Sequence, residues 1–180
     1  MIIKTSNNKA VVLSKLVAND LGPLFYYLQQ LSDETKKRFG PHAFDQQSIN
    51  GFYTKEELNI GYLAKEFETG KIIAYAIIRV GYLAEDGKRL QSCNIIPNSL
   101  TDCTFAPSVA DAWQSCGIGN ALFRYILNDL KATVFKRIIL WAGVQSDNKK
   151  AVNYYLKNGF NKIGQFQHNG LNDDMVLEIG

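Results

Sequence analysis

Hydrophobic positions recur along this chain with two periods, and the switches between them outline its elements. "KAVVLSKL" (9–16) reads as a first strand. Leu21, Leu24, Phe25, Leu28 and Leu31 then fall on one helical stripe, predicting a helix capped by Asn19 or Asp20 with Pro23 in its first turn. "SDETKKRFG" (32–40) predicts a second, short helix that starts at Ser32 and Thr35 and ends at Gly40-Pro41. "NIGYLAKEFETGKIIAYAIIRVGYL" (59–83) carries two runs of β-branched and aromatic residues around "ETGK", a hairpin signal. The polar stretch "AEDGKRLQSCNIIPNS" (84–99) reads as a loop, and "LTDCTFAPSVA" (100–110) as a strand containing Pro107.

In the second half, Ile118, Ala121, Leu122, Tyr125, Ile126 and Leu130 predict a helix over about 117–131. "RIILWAGV" (137–144) is nearly all apolar, as expected of a strand covered on both faces. "DNKKAVNYYLKNG" (147–159) predicts a short helix closed by Asn158-Gly159, and two strands follow at about 160–168 and 173–179. The order β, αα, βββ, α, β, α, ββ describes a mixed α/β sheet with parallel pairing around 100–144.

Composition narrows the function classes. The 180 residues suit one domain, and 46% hydrophobic with 21% charged residues is an ordinary soluble composition. A formal charge of +3 without a basic run argues against a nucleic-acid partner. No apolar run is long enough for a membrane span, and the start "MIIKTSNNKAVVLSKL" has no signal-peptide core. Cys93, Cys103 and Cys116 are odd in number and lack CxxC spacing, so neither a disulfide framework nor a metal site is expected. Reduced thiols in a cytoplasmic protein are the plain reading.

The candidate chemistry lies in "DAWQSCGIGNALFRYI" (111–126), where two glycines precede the third helix. A helix start exposes N–H groups at the positive end of its dipole, and glycines let an anion approach that backbone. The dinucleotide fingerprint GxGxxG fails here because Leu122 stands at the third glycine. A P-loop fails because no Gly-Lys-Ser/Thr is present. What remains is Q-x-x-G-x-G, formed by Gln114, Gly117 and Gly119, with Val109 five residues before the glutamine. Downstream, "NKKAVNYYLKNGF" fits N-x-x-A-x-x-x-Y-x-x-x-G-F.

These two stretches resemble the signature of the GNAT superfamily of acetyl-CoA-dependent N-acetyltransferases, specifically over 100–165. The resemblance implies a single domain over 1–180, with an acceptor-side segment at 1–60 and a CoA-binding core at 100–165. It implies a mostly antiparallel sheet of about seven strands with a splayed central parallel pair and helices on both faces. By similarity, Gln114 and the backbone of Ser115, Cys116, Gly117, Ile118, Gly119 and Asn120 would hold the CoA pyrophosphate. The backbone of Pro107, Ser108 and Val109 would meet the pantetheine arm, where a proline is tolerated because one ladder bond is already missing. Strand edges in this family often pair between subunits, which leaves a homodimer open.

Acetyl transfer from acetyl-CoA to an amine acceptor needs a neutral nucleophile, a stabilised oxyanion and a proton for the departing thiolate. Tyr155 holds the family's tyrosine position and stays protonated at neutral pH, so it is the candidate acid. Asn148 shares its helix face and is placed to cap the helix or bond the CoA arm. Relatives often carry a glutamate on the strand entering the loop, where this chain has Thr104; Asp102, on the same strand face, is the nearest acid. Arg38, His42 and Asp45 are candidates for the acceptor side. An acetyl-cysteine at Cys116 is not expected, since the family transfers directly. The competing reading is a silent acyl-CoA-binding or partner-binding domain that has lost its base.

Overall fold

A computed structural model describes residues 1–54 and 58–179. One sheet takes the strand order β1-β2-β3-β4-β5-β6-β9-β7, with β8 on β9. The strands are β1 (Ile2–Lys4), β2 (Ala10–Lys15), β3 (Asn59–Glu66), β4 (Ile72–Val80), β5 (Asp102–Val109), β6 (Arg137–Leu140), β7 (Val144–Gln145), β8 (Asn161–Gln167) and β9 (Leu171–Glu178). The helices are α1 (Leu21–Gln29), α2 (Asp33–Arg38), α3 (Gln46–Thr54), α4 (Asp86–Ser92), α5 (Ile118–Leu130) and α6 (Lys149–Lys157). The mixed, mostly antiparallel sheet has its parallel pair at β5–β6, in register from Asp102↔Arg137 to Phe105↔Leu140.

The chain forms two compact units. The first comprises Met1–Ile78 and Ala106–Ile126, the second Arg79–Phe105 and Leu127–Gly180. In the first, β4 is buried without interruption from Ile72 to Ile78, as the absence of polar alternation in "IIAYAII" requires. Leu24 and Leu28 of α1 and Ile118, Leu122, Phe123 and Ile126 of α5 are each at most 2% exposed. In the second, Leu90, Ile139 and Val176 pack together with Tyr82, Ile95 and Ile163 around them.

Four expectations change. Among the described residues the sheet has nine strands rather than about seven, because β1 precedes the strand at 9–16 and the run 137–144 is two strands. That run breaks after Leu140, where Ala142 and Gly143 take φ of 52° and 69° and turn the chain out of the ladder. Apolar content alone does not register such a turn. The polar stretch 84–99 contains α4, whose helix buries only Asp86 and Leu90 and so shows no stripe. Between residues 41 and 54, α3 also went unread: Gly51 lies in its interior, and Ile49 is its one fully buried residue.

Candidate active site

In the first unit, the stretch from Val109 to α5 is turned by two residues in the left-handed region, Ser115 at φ 65° and Gly117 at φ 84°. A non-glycine residue there is uncommon, and alternating hands in successive residues aim neighbouring N–H groups at one point, the geometry of an anion nest. A Cβ on Gly117 would meet no atom within 4 Å. The glycine therefore answers to backbone conformation and open approach, not to packing. The Ala121 N–H donates to the Gly117 carbonyl at 3.0 Å and starts the helical ladder. Ile118 is buried and anchors the helix start, while Ser115, Gly117 and Asn120 are exposed.

Side chains around the loop hold it in shape. Gln114 Nε2 donates to the Val109 carbonyl at 3.3 Å, tying the loop back to the end of β5. Asp111 accepts from Ser32 N–H, Ser32 Oγ and Thr35 Oγ1 at 2.9–3.1 Å, joining the start of α2 to the same stretch. These bonds hold its carboxyl below the usual carboxylate range, against the opposing effect of desolvation. On the other side the β1–β2 turn reaches Cys116: Ser6 N–H donates to its carbonyl at 3.3 Å, and Asn7 Nδ2 lies 3.9 Å from its Sγ. Lys9 Nζ sits 4.5 Å from the centre of the Trp113 ring.

Along β5, the Phe105 carbonyl accepts from Trp141 N–H at 2.9 Å, just past the last residue pair of the parallel register. Strand alternation puts the nitrogen of Pro107 on the same side, one step beyond that register, so the proline removes no donor from the ladder. Ser108 is buried and its hydroxyl is engaged: it donates to the Tyr75 carbonyl at 3.3 Å and lies 3.0 Å from the Tyr27 hydroxyl.

The acceptor-side candidates separate by role. Arg38 pairs with Glu34 at 3.1 Å along its own helix, a surface pair of small worth. Asp45 caps α3, accepting from Ser48 N–H at 2.8 Å and Ser48 Oγ at 2.6 Å. Those two bonds lower its pKa. His42 instead sits among rings, 4.8 Å from Phe52 and 5.9 Å from Tyr75 between centroids. Its Nδ1 lies 2.8 Å from the Ala43 carbonyl and its Nε2 3.1 Å from Tyr75 Oη. Burial pushes its pKa below the ordinary imidazole value, only partly opposed by the Ala43 bond and the charge of Asp45.

The second unit holds the other candidates. Asn148 caps α6, its Oδ1 accepting from Ala151 N–H at 3.2 Å. Tyr155 is 8% exposed and makes edge contacts with the rings of Phe160 at 5.4 Å and Phe105 at 6.5 Å. Burial raises its pKa, so the phenol keeps its proton throughout the neutral range. Thr104 is fully buried, and its hydroxyl donates to the Gly81 carbonyl at 2.8 Å. Asp102 accepts from Asn98 N–H at 2.7 Å and faces Arg137 at 3.5 Å. Desolvation raises its pKa above the carboxylate norm. Both side chains thus have structural work: Thr104 satisfies a buried carbonyl and Asp102 closes the turn before β5.

Sequence reasoning passed over Asp111, Tyr27, Tyr53 and Tyr75. A signal existed for Tyr75, because a tyrosine inside a wholly apolar strand must find its hydroxyl a partner. For Asp111 the signal was weaker, an acid beside the glycine turn. Among the described residues no group of three or more His, Cys, Asp or Glu is placed to hold a metal. None of their helices is long and apolar enough to cross a membrane.

Three solved structures of the same fold illustrate the comparison. The GNAT domain of S. lividans PAT superposes with a TM-score of 0.75 at 17% identity, covering 99% of this chain and 96% of that one. The ribosomal-protein-S18-alanine N-acetyltransferase from Escherichia coli gives 0.62 at 19%, covering 94% of each. AAC(6')-Ib, in complex with Parmomycin and AcetylCoA, gives 0.66 at 21%, covering 93% of each. Among curated proteins none matches the chain. The description "Acetyltransferase (GNAT) family" matches residues 25–160, more than half the chain. The chain belongs to the GNAT acetyltransferase family.

Proposed function

We propose that this protein is an acetyl-CoA-dependent N-acetyltransferase acting on a primary amine by direct attack. The observation that carries the reading is the turn before α5, where left-handed Ser115 and Gly117 shape the backbone at a helix start and the space a Gly117 Cβ would take has no protein atom within 4 Å. The residues present fit a diphosphate: Gln114 and the backbone of 115–120 hold it, and the backbone of Pro107, Ser108 and Val109 meets the pantetheine arm. The amine nitrogen attacks the thioester carbon, and the negative charge that develops on the carbonyl oxygen is met by backbone N–H of β5. Collapse breaks the C–S bond, and Tyr155, protonated at any neutral pH, gives its proton to sulfur. Asn148 caps α6 and so fixes the element that carries Tyr155. Arg38 and Asp45 contribute to the acceptor side as parts of α2 and the α3 cap. AAC(6')-Ib is seen in complex with Parmomycin and the S18-alanine enzyme is named for a protein amine, so small-molecule and protein acceptors both stay in view.

The test begins with acetyl-CoA alone. It should raise the melting temperature of the wild type and give a calorimetric binding isotherm. Gly117→Trp should abolish both, because the new side chain would project into the approach and strain a left-handed position. Thiol release with a panel of primary amines then separates the two classes. Acceptor-dependent release that falls about 100-fold in Tyr155→Phe supports the enzyme. Binding without any acceptor-dependent release supports the silent acyl-CoA module. Absence of binding at millimolar acetyl-CoA defeats both.

A further inference from the structure

Thr104, which stands where the resemblance implies a glutamate, spends its hydroxyl on the Gly81 carbonyl, yet the amine must still lose a proton. The first unit contains a chain of hydrogen bonds able to take it. His42 Nδ1 faces a carbonyl, Ala43 O, which only accepts, so Nδ1 carries the imidazole proton in the neutral ring. Nε2 is then an acceptor, and Tyr75 Oη at 3.1 Å donates to it. With its proton committed there, Tyr75 Oη accepts from Tyr53 Oη at 2.5 Å. One direction therefore runs through all three groups, from Tyr53 to Tyr75 to His42.

The chain is built into the fold. A Cβ on Gly61 would stand 2.7 Å from Tyr53 Oη, so a glycine in β3 makes room for that hydroxyl. Tyr75 is fully buried in β4, and its backbone carbonyl accepts from Ser108, in the stretch of β5 assigned to the pantetheine arm. His42, at the far end, is part-exposed, so a proton arriving there can pass to solvent.

We propose that Tyr53, Tyr75 and His42 form a proton relay that accepts the amine's proton, with Tyr53 Oη as its receiving end and His42 as the terminal base. The inference rests on the transferase reading above. As the N–C bond forms, the attacking nitrogen becomes cationic and strongly acidic. Its proton moves to Tyr53 Oη, the Tyr53 proton to Tyr75 Oη, and the Tyr75 proton to His42 Nε2. The imidazolium so formed stays bonded through Nδ1–H to Ala43 O and through Nε2–H to Tyr75 Oη, and later releases its proton to water. At sulfur, the proton supplied by Tyr155 is replaced from solvent, so the transfer balances. The titratable groups facing His42 are Asp45 from its own loop and Tyr75 from β4, with Tyr53 of α3 one hydrogen bond further on, behind Tyr75. Burial keeps both phenols protonated, and it keeps the imidazole neutral at pH 7 and ready to accept.

The relay is tested by thiol release from acetyl-CoA with the amine panel, comparing wild type with His42→Gln, Tyr75→Phe and Tyr53→Phe. Thermal melting and acetyl-CoA calorimetry accompany each variant. All three should bind acetyl-CoA as wild type does while kcat falls about 100-fold. The acid limb of the wild-type kcat profile, lying below the ordinary imidazole range, should vanish in His42→Gln. Should that variant fail to fold, Tyr53→Phe carries the test, since it removes a single oxygen. The chain's two histidines are His42 and His168, so His168→Gln leaves one imidazole for nitrogen NMR, which should show the Nδ1–H tautomer. Folded variants with wild-type kcat and pH profile, or an Nε2–H tautomer, overturn the relay alone. Wild-type protein that binds acetyl-CoA and acetylates no amine overturns the transferase reading and the relay with it.

Discussion

Asp86 Oδ2 is buried without a hydrogen-bond partner, the one such side-chain atom among the described residues. Its other oxygen accepts from Arg89 at 2.8 Å, and Arg89 also pairs with Asp174 at 2.6 Å and lies over the Phe166 ring. One cation thus serves two buried carboxylates, and desolvation raises the Asp86 pKa in spite of Arg89. The sign follows from linkage: a carboxyl whose pKa is higher folded than unfolded penalises the fold once pH passes that folded pKa. Below the unfolded value the penalty is absent. Asp86→Asn should therefore melt at or above the wild-type temperature at pH 7, and this advantage should shrink as pH falls toward 4. A lower melting temperature at pH 7 would mean that the charge is needed to hold Arg89. At this scale the sequence is readable as far as position and no further. Spacing placed Thr104 and Asp102 on one strand face, but not the Gly81 carbonyl and Asn98 amide that engage them, because those partners come from separate turns. The sequence offered His42 as an acceptor-side candidate, but not its bond to Tyr75, which is far off in sequence and adjacent only through folding.

A helix was legible from a cap or from a stripe. Ser32 accepts from Thr35 N–H at the start of α2, and α5 buries its i, i+4 row, as the pattern requires. Two helices without a clear stripe went unread: α4 buries a single apolar residue, and α3 carries a glycine in its interior. Asn148 raises the sharper question, since the sequence left it two duties, a cap or a contact to CoA. Its Oδ1 accepts from Ala151 N–H, which is the cap. Asn148→Ala should cost about 1 kcal/mol of stability, and Asn148→Ser should recover most of it. Urea denaturation of the two variants measures this directly. If both lose stability equally, the cap is not what Asn148 contributes. If Asn148→Ser restores stability but not acetyl-CoA affinity, the residue holds both duties.

Two compact units need not be two domains. Three elements run without interruption from one unit into the other: β4 at Ile78–Arg79, β5 at Phe105–Ala106 and α5 at Ile126–Leu127. A helix or strand melts cooperatively along its length, so losing either unit strips hydrogen bonds from elements that the other unit needs. The expectation of one domain over residues 1–180 therefore becomes a proposal about cooperativity. The chain's two tryptophans suit the test, because Trp113 lies in the first unit and Trp141 in the second. Trp141→Phe and Trp113→Phe each leave one reporter, and urea unfolding followed by fluorescence should give coincident curves once referred to the circular dichroism of the same variant. Acetyl-CoA sharpens the comparison. The proposed diphosphate loop belongs to the first unit, so a ligand at 100 times its Kd should add about 2.7 kcal/mol there. If the units unfold together, Trp141 must report that full increment although its own unit lacks the loop. A Trp141 transition that ignores the ligand while the Trp113 transition shifts would show two independently folding bodies, and the single domain would have to be abandoned.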